Sequence, residues 1–177
     1  MSGRVVGQPA DALRGEREAF GDRVERLMPD LLRYFARRVT PRDDAYDCVS
    51  EALVVLWRRR VIAPTSDGEF RAWAFGVSRR VLLNHARTAR RQARLLAKMS
   101  QETDVVDSAF GERTLVSDAL ATLPAADREL VTLVVWDGFG VAEAGAVLGL
   151  RPVTARSRYS RARARLRDIV GSAEGNL

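Results

Sequence analysis

Apolar residues recur at three- and four-residue steps through most of the chain, the spacing that lines one face of an α-helix. Val24, Leu27, Leu31, Leu32 and Phe35 predict helices at about 16–28 and 29–39, with Pro29 marking a kink or a fresh first turn. Ala45, Val49, Ala52 and Leu56 predict a helix over 43–60, and Phe70, Trp73, Ala74, Val77 and Val81 one over 69–98. Shorter periodic segments follow at 113–122, 126–136 and 141–148. A last stripe, Ala155, Tyr159, Ala162, Leu166 and Ile169, predicts a helix over 152–170. No segment sustains period-two alternation between turn signals, so the predicted fold is all-α.

The polar breaks divide this pattern. Thr40-Pro41-Arg-Asp-Asp stops one helix and caps the next, whose early acids favour its dipole. Ser100 to Glu112 has weak periodicity and net negative charge, and reads as a linker. The expected organisation is a flexible N-terminus (1–15), a helical domain (16–99), an acidic linker (100–112), a second helical domain (113–170) and a tail (171–177), both domains being small. Fully extended, thirteen linker residues span roughly 45 Å.

The end of the pattern has a recognisable form. Val141, Ala144, Val147 and Leu148 make a short helix, Gly149 suits its left-handed stop, and Pro152 suits the first turn of the next. A short helix, a glycine turn and a second helix make the DNA-binding helix-turn-helix pattern. Arg151 precedes that second helix, and Arg158, Arg161 and Arg165 flank its apolar stripe on one side, with Arg156, Arg163 and Arg167 on the other. Opposite the stripe lie Thr154, Ser157 and Ser160, small enough for a helix to sit deep in a groove.

Charge sharpens the picture. The net charge is +6, and Lys98 is the only lysine among 29 basic residues, a bias that fits a GC-rich genome. Basic residues cluster at 79–98 and 151–167 and acids at 43–51 and 102–118, which implies two separate contacts with a polyanion. In the 69–98 helix, Arg79, Arg87, Arg90 and Arg94 fall within roughly 80° of one another. An aromatic beside such a face can stack on unpaired bases, although core packing is the commoner role of Phe70 and Trp73. Asp44, Asp47 and Glu51 share one stripe with Arg58 below them. The helix dipole accounts for Asp44; Glu51 lies two turns in, where a basic protein partner is the alternative to plain solvation. The turn-forming segment Val61–Gly68 is either a connector or a cradle for an extruded base.

Other classes are excluded. The single Cys48 allows no internal disulfide and sits in apolar surroundings. No apolar run of about 18 residues is present, so no membrane insertion is expected. Met1 to Ala10 lacks a secretion signal, which predicts a cytoplasmic protein. His85 is the only histidine, no Cys/His cluster suggests a metal, and no glycine-rich loop suggests a nucleotide; neither cofactor nor catalysis is expected.

Four blocks in order then resemble the extracytoplasmic-function (ECF) class of bacterial sigma factor, in the sigma-70 family. They are Leu32-Arg-Tyr-Phe-Ala-Arg-Arg38; Asp44-Ala-Tyr-Asp-Cys-Val-Ser-Glu51 running to Leu56-Trp-Arg58; Phe70-Arg-Ala-Trp73 continuing to Asn84-His-Ala-Arg87; and Leu120-Ala-Thr-Leu-Pro124 through Ser157-Arg158 to Ala162-Arg-Ala-Arg-Leu166. The resemblance implies a transcription-initiation subunit with two modules. The first would bind the β′ clamp of core RNA polymerase through Asp44, Asp47, Ser50, Glu51 and Arg58. It would melt and hold the −10 element with Thr65, Ser66, Asp67, Trp73, Arg79, Arg80, Asn84, Arg87, Arg90 and Arg91. The second would read duplex DNA at the −35 element with Thr154, Arg156, Ser157, Arg158 and Arg161, near the β flap. An anti-sigma factor is an expected partner. The chain departs from the family pattern at Tyr46 (often Glu), Ser50 (often Gln), Arg80 (usually Asn), Ala144 (usually a large aliphatic) and Arg151 (usually a Ser cap). Gly145 adds a helix-weakening residue, so a soft second module is expected. The competing reading is a polymerase-independent helix-turn-helix repressor or activator.

Overall fold

The computed structural model describes residues 9–100 and 115–174, and among them there are only helices and connecting turns. In chain order these are α1 (Pro9–Ala36), α2 (Asp44–Arg58), a 3-10 turn (Arg60–Ile62), α3 (Asp67–Ser100), α4 (Leu115–Ala121), α5 (Ala125–Val135), α6 (Val141–Val147) and α7 (Pro152–Glu174). The all-α expectation holds. Most of the expected linker, the last three residues of the tail and the first eight residues lie outside the described residues, while residues 171–174 of the expected tail continue α7.

Pro29 does not divide the first helix. α1 runs through it and begins at Pro9, well ahead of the expected start. The proline leaves the carbonyl of Glu25 without its helical donor. Glu25 and Pro29 both face solvent, where water serves that carbonyl, while Leu31, Tyr34 and Phe35 anchor the inner face. The start of α2 also differs from expectation: Asp43 stands at its N-cap without a side-chain capping bond, and Asp44 and Asp47 supply the acids of the first turn.

The N-terminal half is organised by large side chains. Tyr34, Phe35, Phe70 and Phe75 are almost fully buried among Ala45, Cys48, Ala52 and Leu56 of α2 and Ala74 and Val81 of α3. The rings meet edge to face, Tyr34 with Phe35 at 5.4 Å and with Phe75 at 5.3 Å, the geometry that their quadrupoles favour.

The C-terminal half uses smaller ones. Ala144 and Val147 of α6 pack on Ala155 of α7, while Leu120, Leu123, Val131 and Ala162 make a second cluster backed by Tyr159 and Leu166. Arg128 donates to the carbonyls of Leu120 (2.9 Å), Ala121 (2.9 Å) and Leu123 (3.1 Å), which serves groups that α4 leaves open at its end. Between α6 and α7, Gly149 has φ +71°. The N–H of Leu150 reaches the Gly145 carbonyl (2.8 Å) and that of Gly149 the Ala146 carbonyl (3.1 Å), a Schellman stop.

Gly145 marks a close contact between helices. A Cβ at that position would lie 2.6 Å from the Ala155 Cβ, so the glycine is what lets α6 approach α7 closely. Its low helix propensity is offset by that packing.

The two halves touch. One continuous buried cluster runs from Leu31 and Phe75 to Leu130, Leu133, Phe139 and Val147, with α3 lying against α6.

Candidate nucleic-acid and polymerase interfaces

Three exposed surfaces carry the residues singled out by sequence. The first is the outer face of α2. Ala45, Cys48, Val49, Ala52 and Leu56 turn inward, which leaves Tyr46, Asp47, Ser50, Glu51 and Arg58 in solvent. Asp44 is not part of that free row. Its carboxylate lies 3.0 Å from Nε2 of His85, so it joins α2 to α3. The Ser50 hydroxyl donates back to the Tyr46 carbonyl at 2.9 Å. Burial pushes the Cys48 thiol up to about 11, helped by the nearby carboxylates of Glu51, Asp44 and Asp47, which fits an inert core cysteine.

Beside the acids lies a feature that sequence reasoning missed. Phe20, Val24 and Met28 of α1 and Leu53, Val54 and Trp57 of α2 line an apolar groove of about 430 Å³. Val54 (49 % exposed) and Trp57 (44 %) are large apolar residues on the solvent side of a helix. The available signal was the presence of apolar residues outside the inward stripe of α2.

The second surface combines the loop before α3 with the outer side of α3. Arg23, not anticipated from sequence, organises the loop. It donates to the carbonyls of Pro64 (2.9 Å) and Ser66 (3.0 Å), pairs with Asp67 (3.3 Å), and stacks over Phe70 at 3.9 Å. The Ser66 hydroxyl donates to Glu69 at 2.7 Å. With the loop so held, Thr65 is exposed at its end, and Val61 and Ile62 present apolar side chains to solvent (87 % and 69 %). Along α3, Arg80, Asn84, Arg87 and Arg91 are all exposed at steps of four, three and four, with Arg90 on the flank.

Two members of the expected −10 set stand elsewhere. Trp73 is half-buried in a cleft of about 540 Å³ between α3 and α6, together with Gly76, Arg80, Ala146 and Gly149. Arg79 turns toward the C-terminal half, and its Nε donates to both carboxylate oxygens of Glu129 at 3.0 Å. It does not present a free guanidinium to a strand in this arrangement.

The third surface is the outer face of α7. Ala155 and Ala162 point inward; Thr154, Arg156, Ser157 and Arg161 are exposed near its start, and the Arg161 guanidinium donates to the Ser157 carbonyl at 3.4 Å. Val153, which the sequence reading passed over, is 74 % exposed on the same turn. Arg158 is half-buried, 3.7 Å from Asp127, so it doubles as a tether between α7 and α5.

Asp137, between α5 and α6, is the least exposed carboxylate in these contacts, its side chain 2 % exposed. Arg38 donates to it at 2.6 Å and to the Thr132 hydroxyl at 3.1 Å. Arg37 reaches the same carboxylate at 3.4 Å, and Arg71 donates to the Asp137 carbonyl. A buried carboxylate stripped of such partners costs about 3–5 kcal/mol. No sequence signal identified this centre, because its members lie far apart in the chain.

Comparison with known proteins places both halves of the chain in one family. The family model described as "Sigma-70 region 2" matches residues 23–92, which span the second half of α1, α2 and most of α3. The one described as "Sigma-70, region 4" matches residues 113–166, which reach into α7. The chain is 32% identical to the ECF RNA polymerase sigma factor SigF of Caulobacter vibrioides, over 92% of each chain. It is 32% identical to an RNA polymerase sigma-E factor of Streptomyces avermitilis, over 90% of this chain and 89% of that one. Among solved structures, CnrH in complex with the cytosolic domain of CnrY is similar at TM-score 0.62 and 28% identity, covering 92% of this chain and 94% of that one. The sigma factor RpoE of Bartonella quintana, solved with the anti-sigma factor NepR, shares the fold at TM-score 0.61 and 24% identity, covering 87% and 98%. With both sigma-70 regions in order, and relatives of this identity spanning nearly its whole length, the chain belongs to the extracytoplasmic-function class of the sigma-70 family.

Proposed function

We propose that this chain is the promoter-recognition subunit of a bacterial RNA polymerase, with its three surfaces serving three different partners. The acidic and apolar face of α2 docks on the polymerase clamp. Asp47 and Glu51 supply charge, and Met28, Val54 and Trp57 supply the area that desolvates on binding. Ser50 and Arg58 lie within the same patch, while Asp44 shapes it from inside through His85.

The α3 row of Arg80, Asn84, Arg87 and Arg91, with Arg90 on its flank, follows the phosphates of the melted −10 strand. Thr65, Ser66, Val61 and Ile62 at the loop meet an extruded base, and Trp73 stands in the adjoining cleft. Arg156, Ser157, Thr154 and Arg161 enter the major groove of the −35 element from the first turns of α7. Arg158 supports them through Asp127. The bond-making chemistry of initiation belongs to the polymerase; this chain selects where it begins. CnrH was solved in complex with the cytosolic domain of CnrY, which supports a further protein partner for this chain, an anti-sigma factor in this reading. Such a partner would set when the chain is active. Among the described residues no helix is long and apolar enough to cross a membrane, which accords with action in the cytoplasm.

The observation that carries this reading is the coexistence, on one small chain, of an acidic-apolar docking face and two separate arginine rows. A plain helix-turn-helix repressor needs only α6 and α7 and leaves the α2 face and the α3 row unexplained. The test is reconstituted transcription with core polymerase and the host's promoter. The Asp47→Arg/Glu51→Arg double variant should keep its helical content and lose polymerase pull-down and promoter-specific initiation. Tight sequence-specific duplex binding by the free chain, unaffected by polymerase, would contradict the proposal.

A further inference from the structure

We propose that Arg23 is a positioning residue for base capture: it fixes the backbone of residues 63–67 so that a cavity between this loop and α1 stays open for one unpaired base of the −10 strand. The proposal rests on the sigma-factor reading above for the identity of the ligand, and on the geometry around Arg23 for the role itself.

Among the described residues, the loop has few backbone hydrogen bonds of its own. The 3-10 turn gives way at Ala63, whose backbone is extended (φ −68°, ψ 136°), and helical bonding resumes where the Phe70 N–H meets the Ser66 carbonyl at 2.9 Å. Pro64 has no N–H to give. Into this gap α1 sends one guanidinium. Its Nη1 donates to the Pro64 carbonyl at 2.9 Å and its Nη2 to the Ser66 carbonyl at 3.0 Å, so a rigid fork spans two carbonyls of the turn. The guanidinium carbon lies 3.9 Å from the centre of the Phe70 ring, which Phe20 meets edge to face at 5.7 Å. At the other end of the loop, Arg60 donates to the Trp57 carbonyl at 3.1 Å and lies over the Trp57 ring at 4.8 Å.

Between these anchors is a cavity of about 520 Å³. α1 lines it with Arg17, Phe20 and Arg23, and the loop with Val61, Pro64 and Thr65. Apolar walls beside a few polar groups suit an unstacked base, which stacks on the first and hydrogen-bonds the second.

Arg23 is neither a strand contact nor a device for stability. Its side chain is 19 % exposed, and both terminal nitrogens are committed to the loop. Its Nε lies 3.3 Å from the Asp67 carboxylate but is buried and not aligned for a hydrogen bond. Asp67 is 88 % exposed, so that ion pair contributes little. An apolar side chain of similar volume is often as stable as a buried cation, or more so. What the guanidinium supplies, and a hydrocarbon does not, is the shape of the loop.

The test uses the chain with core polymerase and a probe from the host's promoter, duplex at −35 and single-stranded at −10. Each base of the −10 strand is replaced in turn by an abasic residue. The wild-type complex should lose about tenfold in affinity at one position. Arg23→Met should bind the intact probe about tenfold more weakly and show little further loss when that same position is abasic. At the other positions it should lose as wild type does. Its helical content should be unchanged, and its affinity should fall with salt at the wild-type slope. Arg23→Lys keeps the charge without the fork and should fall between the two. Should the Met variant disturb folding, the Lys variant carries the same comparison in smaller degree.

An Arg23→Met loss of equal size on the intact and abasic probes would make the residue merely structural and overturn the proposal. Full-strength binding by that variant would do the same, as would a salt slope lower by about 1, the mark of a phosphate contact. Failure of the wild-type complex to bind the probe at all would instead sink the sigma-factor reading, and the proposal with it.

Discussion

The two sigma regions reach stability by different means. Region 2 buries Tyr34, Phe35, Phe70 and Phe75 in a core shared by three long helices. Region 4 relies on close approach: α6 has seven residues, Gly145 is pressed against Ala155, and the inward face of α7 shows alanine at two of its contact points. An aromatic core tolerates exposed substitutions around it. A small-residue contact has no slack, because a single methyl group is comparable to the spacing that it sets. Region 4 also borrows from its neighbour, since Leu130, Leu133 and Phe139 join the region 2 cluster.

The contrast can be broken from its strong side first. Phe35→Ala should cost about 3–5 kcal/mol, the usual penalty for emptying a buried aromatic site. Denaturant unfolding should show the loss across the whole chain. Gly145→Val should cost about 1–3 kcal/mol through overpacking, because the new side chain meets Ala155 at less than contact distance. Its signature is selective: −35 binding falls while polymerase docking through α2 is retained. Gly149→Ala should cost about 1 kcal/mol, the strain of a side chain at positive φ, and should act on the same half. Cys48 gives the smallest and most local test. With its thiol pushed up to about 11 and the side chain buried, it should resist alkylation at pH 8 in the folded protein and react at once in denaturant. Rapid alkylation of the native chain would place α2 wrongly.

These contrasts bear on how far the sequence could be read. Helical periodicity located α2 to α7 to within a few residues at their ends, because a stripe such as Ala45, Val49, Ala52 and Leu56 encodes its own burial. The glycine turn at 149 was legible for the same local reason. The fresh helix start expected at Pro29 is not found, because a proline's effect depends on whether its lost carbonyl partner faces water, a tertiary fact. The close approach of Gly145 to Ala155 was not legible, because propensity is local and that contact is not. Exposed residues such as Asp47 and Arg156 could be placed on helical faces, whereas Arg80 came only from the family resemblance. Asp44 and Arg79 could not be told apart from them, since their partners His85 and Glu129 lie 41 and 50 residues away. The Asp137 centre was invisible for that reason: it joins the turn after α1, α3 and the turn after α5.

The central claim is that one chain reads two promoter elements with two separate regions, and a promoter-library selection with polymerase tests it most directly. Arg80 lies in the exposed α3 row, and Arg156 is the better probe of α7 because Arg158 is engaged with Asp127. Arg80→Asn should change base preference at −10 and leave −35 untouched. Arg156→Ala should relax preference at one −35 position, a loss of about 1–3 kcal/mol if it contacts a base, or weaken all sequences alike if it contacts phosphate. Shifts by both variants at the same promoter positions would contradict the account.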